Sequence, residues 1–141
     1  MKTVKCRSNC PISNSLDFIG DKWSLLIVRD MVIFNKKSYN EFLNSGEGIA
    51  TNILGNRLKF LEKEGFVVKR VSSEKRSRND YFLTEKGIAL IPILFEMIIW
   101  GRKFCPNDYK HKIFDEITEN KSGCILKYRQ NLRKQLQEIE L

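Results

Sequence analysis

The stretch ATNILGNRLKFLEKEGFVVKRVSSEKRSRNDYFL, from Ala50 to Leu83, decides the fold. Its first part reads as one amphipathic helix closed at Gly65. Ile53, Leu54, Leu58 and Leu61 recur at a spacing that places them on one face. The opposite face carries Thr51, Asn52, Gly55, Asn56 and Lys59. After Gly65 the pattern changes. Phe66 to Val71 is β-rich, and Tyr81-Phe82-Leu83 is its expected hairpin partner. Residues 72–80 form the polar tip between them. Over residues 69–78, Lys69, Arg70, Lys75, Arg76 and Arg78 stand against one carboxylate, Glu74.

A helix with an apolar back and a front of short polar side chains suits a B-DNA major groove, which is about 12 Å wide. Asn52 and Asn56 can make paired hydrogen bonds to adenine, and Thr51 can touch a thymine methyl. Gly55 weakens the helix by about 1 kcal/mol against Ala, and its small size allows close approach to a sugar or base. Arg57 lies on the flank, where a phosphate contact and an internal salt bridge are both open to it. A cationic hairpin tip suits a wing along the phosphates or in a minor groove. Each feature alone also describes solvated surface; their adjacency makes them informative.

Upstream, Ser38 and Glu41 form an S-x-x-E capping box that opens a short helix with Phe42 and Leu43 buried. Ser38 is also a candidate phosphate contact on the flank. Gly46 and Gly48 then turn the chain toward Ala50. Asp21 caps an earlier helix with Trp23, Leu26, Ile27 and Met31 at helical spacing. Before it, Pro11 starts a first helix with Ser13 as a candidate cap, and Gly20 ends it. Downstream, Thr84 caps a helix expected to run from about Glu85 to Phe104. Ile88 to Trp100 is apolar at nearly every position, so one face should cover the core and the other a second subunit. Ile91, Leu94, Phe95, Ile98 and Ile99 are the candidate dimer contacts. Pro92 should kink this helix or mark its first turns.

The order is helix, helix, helix, turn, helix, strand, basic loop, strand, helix. It predicts a mainly α fold with a small β-hairpin wing, a winged helix-turn-helix. Residues 1–9 read as a flexible arm, 10–104 as the DNA-binding and dimerisation domain, and 105–141 as a helical extension. In that extension Ile125, Leu132 and Ile139 lie seven apart, with Leu136 beside them.

Composition narrows the function. The 141 residues carry 25 Lys and Arg against 17 Asp and Glu, a net charge of +8. Such a chain attracts polyanions, with nucleic acid and an anionic membrane as the rival partners on charge alone. Met1 to Cys10 is polar, which predicts no secretory signal and a cytoplasmic chain. The most apolar stretch, the 13 residues from Ile88 to Trp100, contains Glu96 and is too short to span a bilayer. Cys6, Cys10, Cys105 and Cys124 then read as thiols, and their spacing, with His111 as the one histidine, suits no zinc site. No C-x-x-C, nucleophile elbow or Gly-rich phosphate loop marks an enzyme. No metal or cofactor is expected.

Several of these runs have a further meaning together. Cys10-Pro11-Ile12, Leu16-Asp17-Phe18-Ile19-Gly20 and Lys22-Trp23-Ser24-Leu25-Leu26-Ile27 resemble the opening of HxlR-type winged-helix regulators. Tyr39-Asn40-Glu41-Phe42, Gly48-Ile49-Ala50 and Arg57-Leu58-Lys59-Phe60-Leu61-Glu62 continue the likeness. Tyr81-Phe82-Leu83-Thr84-Glu85-Lys86-Gly87 and Trp100-Gly101 close it. The resemblance covers about residues 10–104. It implies a homodimeric transcription regulator, related in architecture to MarR-type proteins, that binds operator duplex DNA. It further implies that Ala50 to Lys63 is the recognition helix and 72–80 the wing. The chain departs from the family where Gly55 replaces a usual Ser or Thr, and where the wing lacks proline. Both changes bear on operator sequence, not on binding mode. Some members of the resembled family sense oxidants or electrophiles through a cysteine at the position of Cys10. That makes Cys10 a candidate thiol sensor, with Cys6 as a candidate resolving thiol; an inert, packed thiol is the alternative. The alternative function is a winged-helix module docking protein or RNA, for which aromatic anchors should replace the short polar front.

Overall fold

The computed structural model describes residues 4, 7–105 and 108–140. Helix α1 (Pro11–Ile19) begins directly at Pro11, with Cys10 rather than Ser13 as its cap residue; Ser13 lies inside the helix. Asp21 caps α2 (Lys22–Val32) by accepting from the Trp23 and Ser24 amides. Ser38 and Glu41 form the capping box of α3 (Tyr39–Leu43). Helix α4 (Thr51–Lys63) follows the turn containing Gly46 and Gly48. Strands β1 (Val67–Val71) and β2 (Asn79–Leu83) pair antiparallel, with Val67 opposite Leu83 and Val71 opposite Asn79. Ser38 bridges Asp80, and the Tyr81 amide donates to the Lys37 carbonyl, so residues just before α3 extend the hairpin by one edge.

The expected single helix from Glu85 to Phe104 is two helices. Helix α5 (Glu85–Ile88) ends at Ala89, and α6 (Ile91–Phe104) starts with proline in its first turn. Pro92 has no amide to donate to the preceding turn and its ring crowds the carbonyl four residues back, so the helix stops and restarts there. Beyond it lie α7 (Lys112–Glu119) and α8 (Lys121–Glu140).

These elements share one core. Val28 of α2, Phe42 of α3, Leu54, Leu58 and Leu61 of α4 and Leu83 of β2 are buried together. Ile113 and Ile117 of α7 and Tyr128 and Leu132 of α8 belong to the same cluster. Helix α8 is tied to the base of the wing side by Arg133, whose guanidinium makes a bidentate pair with Glu85.

The faces of α6 differ from expectation. Ile91, Leu94 and Phe95 are buried in the chain's own core and are not presented to a second subunit as expected. Helix α8 is the reason: Tyr128 packs edge-on against Phe95 with ring centroids 5.7 Å apart. Ile98 is half-buried and packs on the core, and Ile99 is 39% exposed. The outward apolar stripe is instead Ile93, Met97, Trp100 and Phe104, the last three each more than half exposed. No helix among the described residues is long and apolar enough to cross a membrane.

Gly87 shows how tightly α5 sits on the hairpin. A Cβ there would lie 2.3 Å from the Phe66 carbonyl oxygen and 2.7 Å from Leu83 Cδ2. Gly87→Ala should therefore destabilise the protein by about 2 kcal/mol or more, against the roughly 1 kcal/mol gain that helix propensity alone gives. Urea unfolding at neutral pH measures the sign.

Candidate nucleic-acid interface

Helix α4 is held by its back and oriented by one ion pair. Leu54, Leu58 and Leu61 are buried, which supplies adhesion but little direction. Direction comes from Arg57. Its Nη1 lies 3.0 Å from Asp21 Oδ1 and 3.4 Å from Ser24 Oγ, and its guanidinium stacks 4.3 Å from the Phe60 ring centroid. Burial pushes the Asp21 carboxyl upward, but the Ser24 hydroxyl, the Ser24 and Trp23 amides and Arg57 outweigh it and hold it below the usual carboxylate range. Tyr39 adds a second restraint: its hydroxyl donates to the Thr51 carbonyl at 3.0 Å, fixing the first turn of α4.

This setting turns Thr51, Asn52, Asn56 and Lys59 outward as one exposed row. Gly55 lies within the row, and a Cβ on it would meet nothing within 4 Å, so the close approach it allows is toward solvent or a ligand. Two flank residues named from the sequence do not join them. Arg57 is committed to Asp21, which resolves its two readings in favour of the internal salt bridge. Ser38 is 3% exposed, and its hydroxyl is used by Glu41, to which it donates at 2.9 Å and from whose amide it accepts. It is a cap, not a phosphate contact.

The wing divides its cations in the same way. Arg78 folds inward. Its Nε donates to Asp80 Oδ1 at 3.0 Å, and its Nη2 to Ser72 Oγ at 3.0 Å and Glu74 at 3.3 Å. Asp80 and Ser72 are themselves buried, and Lys37 lies 3.9 Å from the Asp80 carboxylate. The tip is closed by the Ser72 amide donating to the Arg78 carbonyl, and by Ser72 Oγ accepting from the Glu74 and Lys75 amides. Lys75 and Arg76 are left outward, exposed and in no ion pair among the described residues. Sequence reasoning missed Lys37, Ser72 and Asp80, which build the wing without reaching beyond it. A signal was present: Arg78 and Asp80 stand two apart, a spacing that puts both on one side of a strand.

Cys10 is exposed at the start of α1, and its side chain makes no capping hydrogen bond. Arg7 pairs with Asp17 of α1. Cys6 lies outside the described residues. Cys124 is buried, and burial with the nearby Glu116 carboxylate pushes its thiol up. No group of three or more His, Cys, Asp or Glu able to hold a metal ion occurs among the described residues.

The model of the HxlR-like helix-turn-helix family matches residues 18–109. The uncharacterised HTH-type transcriptional regulator YdeP of Bacillus subtilis is 34% identical over 95 residues, covering 67% of this chain and 73% of that one. The HTH-type transcriptional regulator YodB of B. subtilis is 33% identical over 101 residues, covering 70% and 89%. Among solved structures, the redox regulator HypR in its oxidised form superposes with a TM-score of 0.60 at 34% identity, over 71% of this chain and all of that one. Quinone-bound YodB from B. subtilis gives 0.55 at 30% identity, over 67% of this chain and all of that one.

The inward and outward wing cations should separate in experiment. Arg78→Ala should lower the melting temperature and speed amide exchange across residues 72–80, whereas Arg76→Ala should change neither. Equal effects of the two substitutions on exchange would remove the division between them.

Proposed function

The chain belongs to the HxlR-like helix-turn-helix family, and we propose that it regulates transcription by binding operator duplex DNA as a homodimer. One observation carries this reading: Thr51, Asn52, Asn56 and Lys59 form an exposed row on a helix whose rotation is fixed by the Arg57–Asp21 pair. Such a row can enter a major groove with its polar tips toward the base edges. Lys75 and Arg76 on the wing add phosphate contacts. Residues 10–104 act as the DNA-binding and dimerisation unit, and 105–141 as an extension braced against it. The outward stripe of α6 is the apolar surface on which a second copy would pack. The short polar front, without aromatic anchors, favours DNA over a docked protein.

A second element of the proposal concerns the signal. Cys10 presents an exposed thiol at the N-terminus of α1, free of any capping hydrogen bond. The likeness to the redox regulator HypR, and to a YodB structure holding a quinone, supports reading it as a sensor of oxidants or electrophiles.

Fluorescence anisotropy with genomic duplexes tests both parts. Asn52→Ala or Asn56→Ala should cost about 1–3 kcal/mol and relax sequence preference, while Arg76→Ala should weaken all duplexes and flatten the salt slope. No preference for any genomic duplex would refute the operator reading. Diamide or a quinone should shift the affinity of the native chain and leave Cys10→Ser unchanged; an equal shift in both would clear Cys10 of the role.

A further inference from the structure

A cavity of about 380 Å3 opens between the half of the chain that carries the recognition helix and the half that follows the wing. One side is formed by the end of α2 and the turn before α4, the other by α6 and the start of α7. Its volume suits a molecule of one or two rings. Three of its wall residues, His111, Ile113 and Phe114, lie beyond residue 109, where the match to the family model ends. The stretch that follows the common domain therefore completes this site.

The walls are largely apolar and aromatic, and their rings are already positioned. Phe34 and His111 meet edge to face with centroids 5.7 Å apart, and Tyr109 and Phe114 do so at 5.9 Å. Two arginines line the cavity, and their situations differ. Arg29 is spent: it donates to Asp30 at 2.8 Å and to Glu47 at 3.2 Å. Arg102 lies over the Phe114 ring at 4.4 Å and, among the described residues, donates one hydrogen bond, from Nη1 to the Tyr109 carbonyl. Among the described residues it makes no ion pair with a carboxylate, and most of its donors have no partner there. His111 Nδ1 accepts from the Ile113 amide, which leaves Nε2 as the nitrogen bearing the ring proton and a second donor.

Flat apolar walls, an unpaired guanidinium at their edge and a neighbouring N–H define a recognisable ligand chemistry. The rings stack an aromatic nucleus, and the guanidinium takes a carboxylate in its fork. We propose that this cavity binds a small aromatic carboxylate, with Arg102 as its anion anchor. The cavity touches both α2 and the turn leading into α4, so an occupant bridges the recognition half and α6 directly. The binding claim stands independently of the DNA-binding reading and is tested without DNA.

The experiment is a titration of the full chain with benzoate and salicylate, followed by amide NMR shifts. Saturable shifts are expected at residues 33–34, 101–102 and 111–114, with benzylamine binding at least about tenfold more weakly. Arg102→Gln should weaken benzoate by about tenfold or more and erase the preference over benzylamine. Gly101→Leu, where an added Cβ meets nothing within 4 Å, should fill the cavity and abolish the shifts. Melting curves establish that each variant is folded, and either variant alone suffices with the benzylamine comparison. Absence of saturable shifts up to about 10 mM benzoate, shifts centred elsewhere, or unchanged affinity in a folded variant would overturn the proposal.

Discussion

The Asp21 carboxylate joins two elements that must be set relative to each other. It caps α2 through the Trp23 and Ser24 amides and holds Arg57 of α4 at 3.0 Å. The leucines on the back of α4 supply adhesion, roughly 1.5–3 kcal/mol for each fully buried side chain, but apolar contact is non-directional. A helix seated on three leucines alone has latitude in rotation, and successive residues are 100° apart, so a small roll changes which side chains face out. A guanidinium committed to a carboxylate on another helix removes that latitude. The Tyr39 hydroxyl, bonded to the Thr51 carbonyl, fixes the first turn as well. The outward row from Thr51 to Lys59 is thus a consequence of polar contacts made on the opposite flank.

The wing obeys the same division. A tip holding Lys75, Arg76 and Arg78 within four residues repels itself unless some charge is turned inward and compensated. Arg78 is that charge. It reaches a nearly inaccessible Asp80 and the buried Ser72 hydroxyl, and Lys37 approaches the same carboxylate from the strand edge before α3. Removing one partner of such a group leaves the other unsatisfied, which is why residues of one chemical type carry different duties here. Arg57 and Arg78 shape the surface, while Lys59, Lys75 and Arg76 constitute it.

What the sequence disclosed follows from what is local. Ser38 with Glu41, Asp21 and Thr84 are caps defined within one helical turn, and the switch from helical to alternating periodicity after Gly65 marks the hairpin. The front of α4 was legible because its polar and apolar faces contrast. Ile88 to Trp100 offers no such contrast: it is apolar all round, so periodicity could not say which side faces in. That choice is made by α8, far along the chain, whose Tyr128 and Leu132 join the cluster around Phe95. The inward positions of Ile91, Leu94 and Phe95 are therefore a tertiary fact. Ser38 is a different case. A hydroxyl serving a capping box has its bonds filled locally, so the motif that identified the helix already argued against a phosphate contact.

The two faces of α6 explain why the extension matters to the proposed dimer. With α8 covering the inner face within the protomer, Ile93, Met97, Trp100 and Phe104 remain outside as an apolar stripe, and Trp100 and Phe104 pack on each other at 5.4 Å. Scattered exposed apolar side chains are ordinary on a soluble protein; a stripe along one helix is not. A two-fold axis beside such a helix sets the same patch against itself and needs no second complementary surface. Met97 and Gly101 also line the cavity on the recognition side. The proposed dimer face and the proposed ligand site consequently share a helix, and a change in the packing of one reaches the other through α6 without any intervening element.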